Sequence, residues 1–457
     1  MKITPKHNRI SSELGPTQLA AVSSLQFPRS LRKYKPAHIK QAARFIETFG
    51  IRLPVLVDAE RNVVAGEIWV LAVKSLEIPE IPVIFVEGLS AEQLNAYRIG
   101  IQRIPELAAW DDDALGEIFK EWTGRTLDFD IEIAGFSMPE IDFLIGGLDL
   151  TAFGNEVEEE SIPAGSGDAV TRTGDVWIAG GHRILCGNSL DHASFASLLG
   201  AEKASIVITD PPYNVAIDGH AGGKGSLHHR EFAMASGEME PAEFIVFLQT
   251  FMHLLIEFSV DGSLHYLFMD WRHAEELLKT GSSVYSALKN IIVWVKSNAG
   301  MGSLYRSQHE FVFLFKNGNA PHRNNVQLGR HGRNRTNVWN YAGATSLGGR
   351  TTDEGYLLEM HPTVKPVQML ADAILDSSAR GEIVLDCFLG SGSTLLAAER
   401  VGRRLFGIEF DQLYVDVAIR RWQRQSGQQA INTATGRSFD ETAEVVDRSI
   451  ETELTKT

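Results

Sequence analysis

The run Ile383-Val384-Leu385-Asp386-Cys387-Phe388-Leu389-Gly390-Ser391-Gly392-Ser393-Thr394 leaves this chain little choice of fold. A short apolar strand enters a turn with two glycines, and a helix follows through Arg400. A second strand then ends at Phe406-Gly407-Ile408-Glu409. Strand, loop, helix and strand in this order are the unit of a parallel sheet with covered faces. Glycine lets the backbone turn sharply and approach a ligand with no Cβ in the way. Glu409 lies 23 residues after Asp386, at the tip of the next strand. A carboxylate there can accept both ribose hydroxyls of a nucleoside. The third glycine of a dinucleotide fingerprint is missing, because Leu395 follows Thr394. A pyrophosphate cradle is therefore not indicated, whereas a nucleoside carrying a small zwitterion, such as adenosylmethionine, needs none. A tight turn with no ligand is the alternative that this segment alone leaves open.

A second strand-and-turn stands far upstream, where Ile206-Val207-Ile208-Thr209 runs into Asp210-Pro211-Pro212-Tyr213. An aromatic amine is a poor nucleophile, since its lone pair is delocalised into the ring. Two acceptors fixed on its N–H groups favour a pyramidal nitrogen that can attack a methyl group in line. Asp210 supplies one acceptor; Pro211, with no N–H and a stiff backbone, leaves a rigid carbonyl as the other. Pro212 extends that turn, and Tyr213 offers a face on which a base can stack. Acceleration at such a site comes from positioning and polarisation, so Asp210 need not be a full general base. A plain proline turn is the bland alternative, and its place directly after a buried strand weighs against it. A base in a duplex must be flipped out before its amine can be gripped. Gly219, Gly222, Gly223 and Gly225, with Lys224 among them, suit a mobile cover over such a base or, equally, an ordinary surface loop.

A length of 457 residues suits two domains with linkers rather than one core. Ser205–Thr209 and Ile291–Val295 are short β-branched runs, expected as strands buried in a parallel sheet. Phe311–Phe315, Ile383–Leu385 and Arg404–Ile408 read as three more. No run of about 18 apolar residues occurs, so no membrane span is expected. The stretch Phe244 to Val260, interrupted by Gln249, His253 and Glu257, reads as a buried amphipathic helix. Lys2, Lys6 and Arg9 have no apolar region behind them, which argues against a secretory signal. With only Cys186 and Cys387, a disulfide framework is excluded and a reducing cytoplasm is the expected setting. No metal is expected either, since no C-x-x-C occurs and the histidines, His228 and His229 included, lack ligand spacing. A net charge of −15 argues against a uniformly basic DNA-binding surface. Screening confines each charge to roughly 10 Å, however, so a local basic path survives. Lys316 to Arg350 holds six Lys or Arg and no Asp or Glu, a fair footprint for a phosphate backbone.

With the tetrad Asp210–Tyr213 and the loop Phe388–Gly392 both present, the chain resembles the DNA amino-methyltransferases that make N6-methyladenine or N4-methylcytosine. The tetrad precedes the cofactor loop, which is the permuted order of their β subgroup. Leu185-Cys186-Gly187-Asn188-Ser189-Leu190 stands where the family often has Gly-Asp-x-Leu, with Asn188 departing from the acid. Trp294-Val295-Lys296 and Tyr305-Arg306-Ser307-Gln308-His309-Glu310 look like the segment beside the target-base pocket. His361-Pro362-Thr363-Val364-Lys365-Pro366 looks like the H-P-T-x-K-P signature. The resemblance spans about 170 to 425. It implies an α/β, Rossmann-like methyltransferase domain that uses S-adenosyl-L-methionine. Phe388, Gly390, Gly392 and Glu409 would hold that cofactor, with Asp386 and Thr394 beside it, and Asp210, Pro211, Pro212 and Tyr213 would grip the amine. Target recognition falls at about 317–350, where Arg323, Arg330, Arg333 and Arg335 are candidate DNA contacts or, each taken singly, solvated charges. A tetrad opening with Asp leans towards adenine over cytosine. Ring-carbon methylation would need a Pro-Cys thiolate, but Leu185 and Asp386 precede the two cysteines. The implied partners are double-stranded DNA and, in a restriction–modification pair, a restriction endonuclease; oligomeric state stays open.

Upstream, a smaller α/β pattern is expected, with helices at Ala37–Phe49, Trp69–Leu76, Ala91–Ile101 and Asp111–Trp122. Strands are expected at Leu53–Asp58, Asn62–Ala65 and Ile81–Val86. Pro54-Val55-Leu56-Val57-Asp58, Val64-Ala65-Gly66, Ile81-Pro82-Val83 and Leu107-Ala108-Ala109-Trp110-Asp111 resemble ParB-like domains. That family commonly has G-x-x-R after the second strand, where this chain has Gly66-Glu67-Ile68-Trp69, so nucleotide hydrolysis is not implied. A DNA-contacting or assembly role is. The expected organisation is a mobile 1–20, a ParB-like domain at 21–150, a linker at 151–169, a methyltransferase domain at 170–430 and a loosely packed tail at 431–457. Two rival functions remain at this stage. One is a non-catalytic DNA-binding regulator on a relic fold; the other is methylation of RNA or of a protein amide by the same grip.

Overall fold

The computed structural model describes residues 16–27, 30–123, 125, 127–152, 169–214, 237–296, 304–326, 328, 335–341 and 364–454. They form two units, Met1–Leu148 and Asp149–Thr457. In the first, β1 (Gln18–Ala21), β2 (Val55–Val57), β3 (Val63–Ala65) and β4 (Glu80–Phe85) make a sheet in the order β1-β4-β2-β3. Helices Pro36–Phe49 and Glu67–Ser75 share its core through Ala42, Ala43, Ile46, Val70 and Val73. Gly66 sits in the left-handed region at the start of the second helix, at φ +93°, with a virtual Cβ 3.3 Å from Val55 Cγ2. Only glycine meets both demands without cost. Asp111 caps helix Asp112–Thr123 by accepting from Ala114 N at 3.0 Å, as its position in the sequence implies.

In the second unit ten strands form one mixed sheet. They are β5 (Val176–Ala179), β6 (His182–Cys186), β7 (Ala204–Thr209), β8 (Ser259–Met269), β9 (Ala287–Val295), β10 (His309–Lys316), β11 (Val338–Asn340), β12 (Ile383–Asp386), β13 (Arg404–Glu409) and β14 (Ile431–Asn432). Their order is β11-β9-β10-β8-β7-β12-β13-β6-β5-β14. The centre, from β8 through β7, β12 and β13 to β6, is parallel. Ile206 and Ile208 of β7 enter one core cluster while Val207 enters another. Both faces are therefore buried, which is why the strand reads as an unbroken apolar run. Helix Pro241–Glu257 covers the second face with Phe244, Phe247, Leu248 and Phe251.

Two expectations need correction. Ile291–Val295 runs parallel only to the short edge strand β11; β9 pairs antiparallel with β10, which pairs antiparallel with β8. An apolar run reports burial on both faces but not strand direction. The second difference concerns residues after 430. Ile431–Asn432 pairs with β5, and Phe439 is buried with its ring 5.3 Å from that of Trp177. The sheet and its core thus continue where a loosely packed tail was expected.

From β7 the chain proceeds towards β8, and from β12 towards β13, in opposite directions along the sheet. The carboxyl ends of β7 and β12 therefore flank a crevice at the point where strand order reverses. Open α/β sheets bind ligands at such a point.

Candidate active site

Asp210 follows the last residue of β7, and Asp386 ends β12. The two strands are joined by Val384↔Ile206 and Leu385↔Val207, and at their tips Thr209 Oγ1 donates to Asp386 Oδ1 at 2.8 Å. The tetrad and the glycine loop, 176 residues apart in sequence, thus meet at one crevice. Pro211 is buried, and Tyr213 half-buried. Tyr213 Oη donates to Asp210 Oδ1, and lies 2.7 Å from Glu310 Oε1. Lys365 Nζ donates to Asp210 Oδ2 and lies 3.2 Å from Tyr213 Oη and 3.4 Å from Glu310 Oε1. Glu310 Oε2 is held by Lys296 Nζ at 2.9 Å.

Two carboxylates and two ammonium groups therefore share this pocket. Burial works to raise the pKa of Glu310, but Lys365 and Lys296 overcome it and bring the group down to about 2. For Lys365 burial works downward, and Asp210 and Glu310 overcome it, so the amine stays protonated. For Asp210 burial is the largest influence and, with the Glu310 charge, raises the group from its ordinary value, while Lys365 pulls it back down. Its side chain keeps 19% of its surface exposed, so it is not sealed off from the crevice.

On the other side of the crevice, Gly390 N donates to Glu409 Oε2 at 2.7 Å and Asp411 N to Oε1 at 2.8 Å. Phe388 N donates to Asp386 Oδ1 at 3.1 Å. Thr394 also hydrogen-bonds Asp386. Gly390 and Gly392 both have positive φ, +55° and +85°. A Cβ on Gly392 would lie 2.7 Å from Ala418 Cβ, so here glycine lets the loop pack on helix Gln412–Ser426. Arg421 of that helix donates to Ser391 O at 2.7 Å and fixes the turn. The ring of Phe388 packs edge-on to Phe251 at 5.2 Å.

Burial raises Asp386 to about 6 and Glu409 to about 7. The charges bearing on Glu409 are those of Asp411 and Asp386, and on Asp386 that of Asp210, all of one sign. This acceptor-rich wall fits a ligand that brings hydroxyl donors and positive charge, as the ribose, ammonium and sulfonium of S-adenosylmethionine do.

The four arginines expected to meet DNA do not form one surface among the described residues. Arg330 and Arg333 lie outside those residues, as do the loop glycines 219–225, His228, His229 and His361–Thr363. Arg335 is taken up internally, 2.6 Å from Asp376 and 3.3 Å from Asp372, with Trp339 beneath its guanidinium. Arg323 is more exposed and pairs with Glu382 at 3.3 Å. Both line a cavity of about 250 Å³ together with Lys289, His322, Asn290 and Asn337.

Glu310, Lys296 and Lys365 were legible only as members of family-like segments, with no role attached. For Lys296 and Lys365 the signal is a charged residue close to buried Trp294 or next to buried Val364, where solvation alone would not put one. Asn214, not singled out in sequence, accepts from Gly237 N and Met239 N at 3.1 Å and donates to Met239 O at 2.8 Å. It ties together the two ends of segment 215–236. Asn188 takes a turn role, its Oδ1 accepting from Leu190 N at 3.0 Å. Both cysteines are buried thiols, with burial raising Cys186 to about 12 and Cys387 further, so neither offers a thiolate. No helix among the described residues is long and apolar enough to cross a membrane.

Residues 204–420 match the DNA methylase family, and residues 114–173 match the ParB-methyltransferase HTH domain. The second match runs across the segment expected to be a linker. The chain is 27% identical over 254 residues to the Type II methyltransferase M2.DpnII of Streptococcus pneumoniae, covering 52% of this chain and 88% of that one. It is 23% identical over 260 residues to the Type II methyltransferase M.HpaI of Haemophilus parainfluenzae, covering 52% and 73%. Among solved structures, the Thermus thermophilus protein TTHA0409, complexed with S-adenosyl-L-methionine, aligns at a TM-score of 0.38 and 19% identity, over 56% of this chain and 96% of that one.

Proposed function

Residues 204–420 belong to the DNA methylase family, and on that premise we propose that the chain methylates the exocyclic amine of a DNA base, adenine N6 before cytosine N4. The observation that carries this is the Thr209–Asp386 hydrogen bond, which ties the amine-gripping turn to the glycine loop. When bound, S-adenosyl-L-methionine supplies an electrophilic methyl group on a sulfonium. Glu409 would accept from its ribose hydroxyls, the Gly390–Gly392 turn would let it approach the backbone, and Asp386 would balance its positive charge. Asp210 and the carbonyl of Pro211 each take one N–H of a flipped-out base and leave its nitrogen lone pair free for attack. Pro212 keeps that turn stiff, and the half-buried Tyr213 ring supports the base. Asp at the first tetrad position supports adenine. Arg323, Arg330 and Arg333 serve the phosphate backbone, and residues 21–150 serve as a DNA-contacting or assembly module. A restriction endonuclease reading the same sequence is the partner such an enzyme would oppose.

Methylation-aware sequencing of DNA from cells expressing the protein, against cells expressing Asp210→Ala, tests this directly. N6-methyladenine at one sequence motif, absent from the control, is the expected result. N4-methylcytosine instead would correct the base alone. Identical, unmodified DNA from both, with the protein folded and abundant, would sink the proposal.

A further inference from the structure

Lys365 is 6% exposed, yet it carries a full charge among three rings, with Nζ 5.2 Å from the centroid of Phe268, 5.6 Å from Tyr213 and 5.9 Å from Trp294. An ammonium has three hydrogens, and three acceptors surround this one: Asp210 Oδ2, Tyr213 Oη and Glu310 Oε1. Isolated, such a charge would be strongly disfavoured at this depth. Its partners are the first residue of the amine grip and a second carboxylate, which contacts neither the amine turn's backbone nor the glycine loop in any hydrogen bond among the described residues.

Resting on the amine-methyltransferase function, we propose that Lys365 is a positioning residue that keeps Asp210 ionised and aims its free lone pairs at the target amine. The need is physical. The groups facing Asp210 are Lys365, the Tyr213 hydroxyl, the Glu310 carboxylate and, from β12, the Asp386 carboxyl. Two of these are of its own sign, and Lys296 spends its charge on the far oxygen of Glu310. Without Lys365 a proton would settle on Asp210. Its carboxyl would then present a donor to an amine that needs acceptors. A carboxylate has about four lone-pair sites, so Lys365 and Tyr213 can each occupy one and leave others for the base. Glu310 in turn is the anchor that holds Lys365 in place. After methyl transfer the amine's surplus proton is released to solvent, since Lys365 is already protonated.

The test uses the full chain, tritiated S-adenosyl-L-methionine and unmethylated DNA amplified from the source genome. Lys365→Met should lower kcat at pH 7 by roughly 10²-fold. It should also move the acidic limb of the kcat profile up by about 1–3 pH units, with cofactor affinity by calorimetry unchanged. Lys365→Arg should recover part of the rate. Because a lone buried Glu310 could unfold Lys365→Met, the double variant Lys365→Met/Glu310→Gln is the second arm. Removing the like charge should bring the acidic limb back down relative to Lys365→Met, or to within about one unit of wild type. An acidic limb unmoved in Lys365→Met, full activity there, or, where that variant does not fold, full kcat in the double variant, whose Asp210 has lost the group that aims it, overturns the proposal. A wild-type chain that transfers no methyl group to this DNA overturns the underlying function instead, so the two failures are distinguishable.

Discussion

Two acidic clusters meet at the carboxyl ends of β7 and β12, and they are balanced in opposite ways. Around Asp210 and Glu310 the chain supplies its own cations, Lys365 and Lys296, within hydrogen-bonding reach. Around Asp386 and Glu409 the neighbouring charges are carboxylates, and burial raises both groups, to about 6 and about 7. A neutral base brings no charge, so the side that receives it must be balanced in advance. A sulfonium nucleoside brings charge with it, so the side that receives it is left short. On the proposed function, the difference between the clusters is a difference between their ligands.

The sharpest way to break this comparison is Asp210→Ala. Transfer should fall by about 10³-fold or more, while cofactor affinity by calorimetry stays close to wild type. An equal loss of both would mean that the two clusters are one functional unit.

The cofactor side makes a prediction in pH. With Glu409 at about 7 when folded and 4.5 as an ordinary glutamate, the native state holds an extra proton between those values. The stability this confers is complete below pH 4.5 and is lost as pH climbs to 7, by on the order of 3 kcal/mol. A cationic ligand should reverse the preference. S-adenosylmethionine affinity should rise as pH increases towards 7, by up to tenfold per unit, with proton release detectable by calorimetry in buffers of different ionisation enthalpy. Glu409→Gln should flatten that dependence. An affinity independent of pH in the wild type would show that Glu409 remains protonated with ligand bound. Gly390→Val, forced into the left-handed region at φ +55°, should weaken the cofactor by about tenfold through roughly 1–2 kcal/mol of backbone cost. It should leave the amine side untouched.

These clusters were unequally legible in the sequence. The glycine-loop side is a local pattern, one strand, one loop and one acid, so spacing alone singled out Gly390, Gly392 and Glu409. The tetrad was equally local. What balances it was not. Glu310 arrives on β10 and Lys365 on a separate segment, 155 residues beyond Asp210. Only the antiparallel return of β10 beside β8 brings them together. Strand direction was the very feature an apolar run does not encode. β8 itself went unread, since Ser259–Met269 opens with Val260-Asp261-Gly262 and then runs apolar on both faces, with no alternation to mark it. The basic island misled in one respect, because charge density along the chain says nothing of which arginine turns inward.

Arg335 and Arg323 give the finest test of that last point. Arg335 sits between Asp372 and Asp376 with its side chain 21% exposed, so Arg335→Ala leaves two carboxylates without their cation. The expected cost is about 3 kcal/mol of stability, seen as a lowered denaturant midpoint. DNA affinity of the folded fraction should barely change. Arg323 meets Glu382 at 3.3 Å near the surface, an exposed pair of little stabilising value. Arg323→Ala should leave stability within about 0.5 kcal/mol. If its guanidinium leaves Glu382 for a phosphate, the slope of log affinity against log salt should become shallower by about one. A stability loss at Arg323 with an unchanged slope would mean that both arginines belong to the scaffold, and that the DNA-facing cations lie elsewhere on the chain.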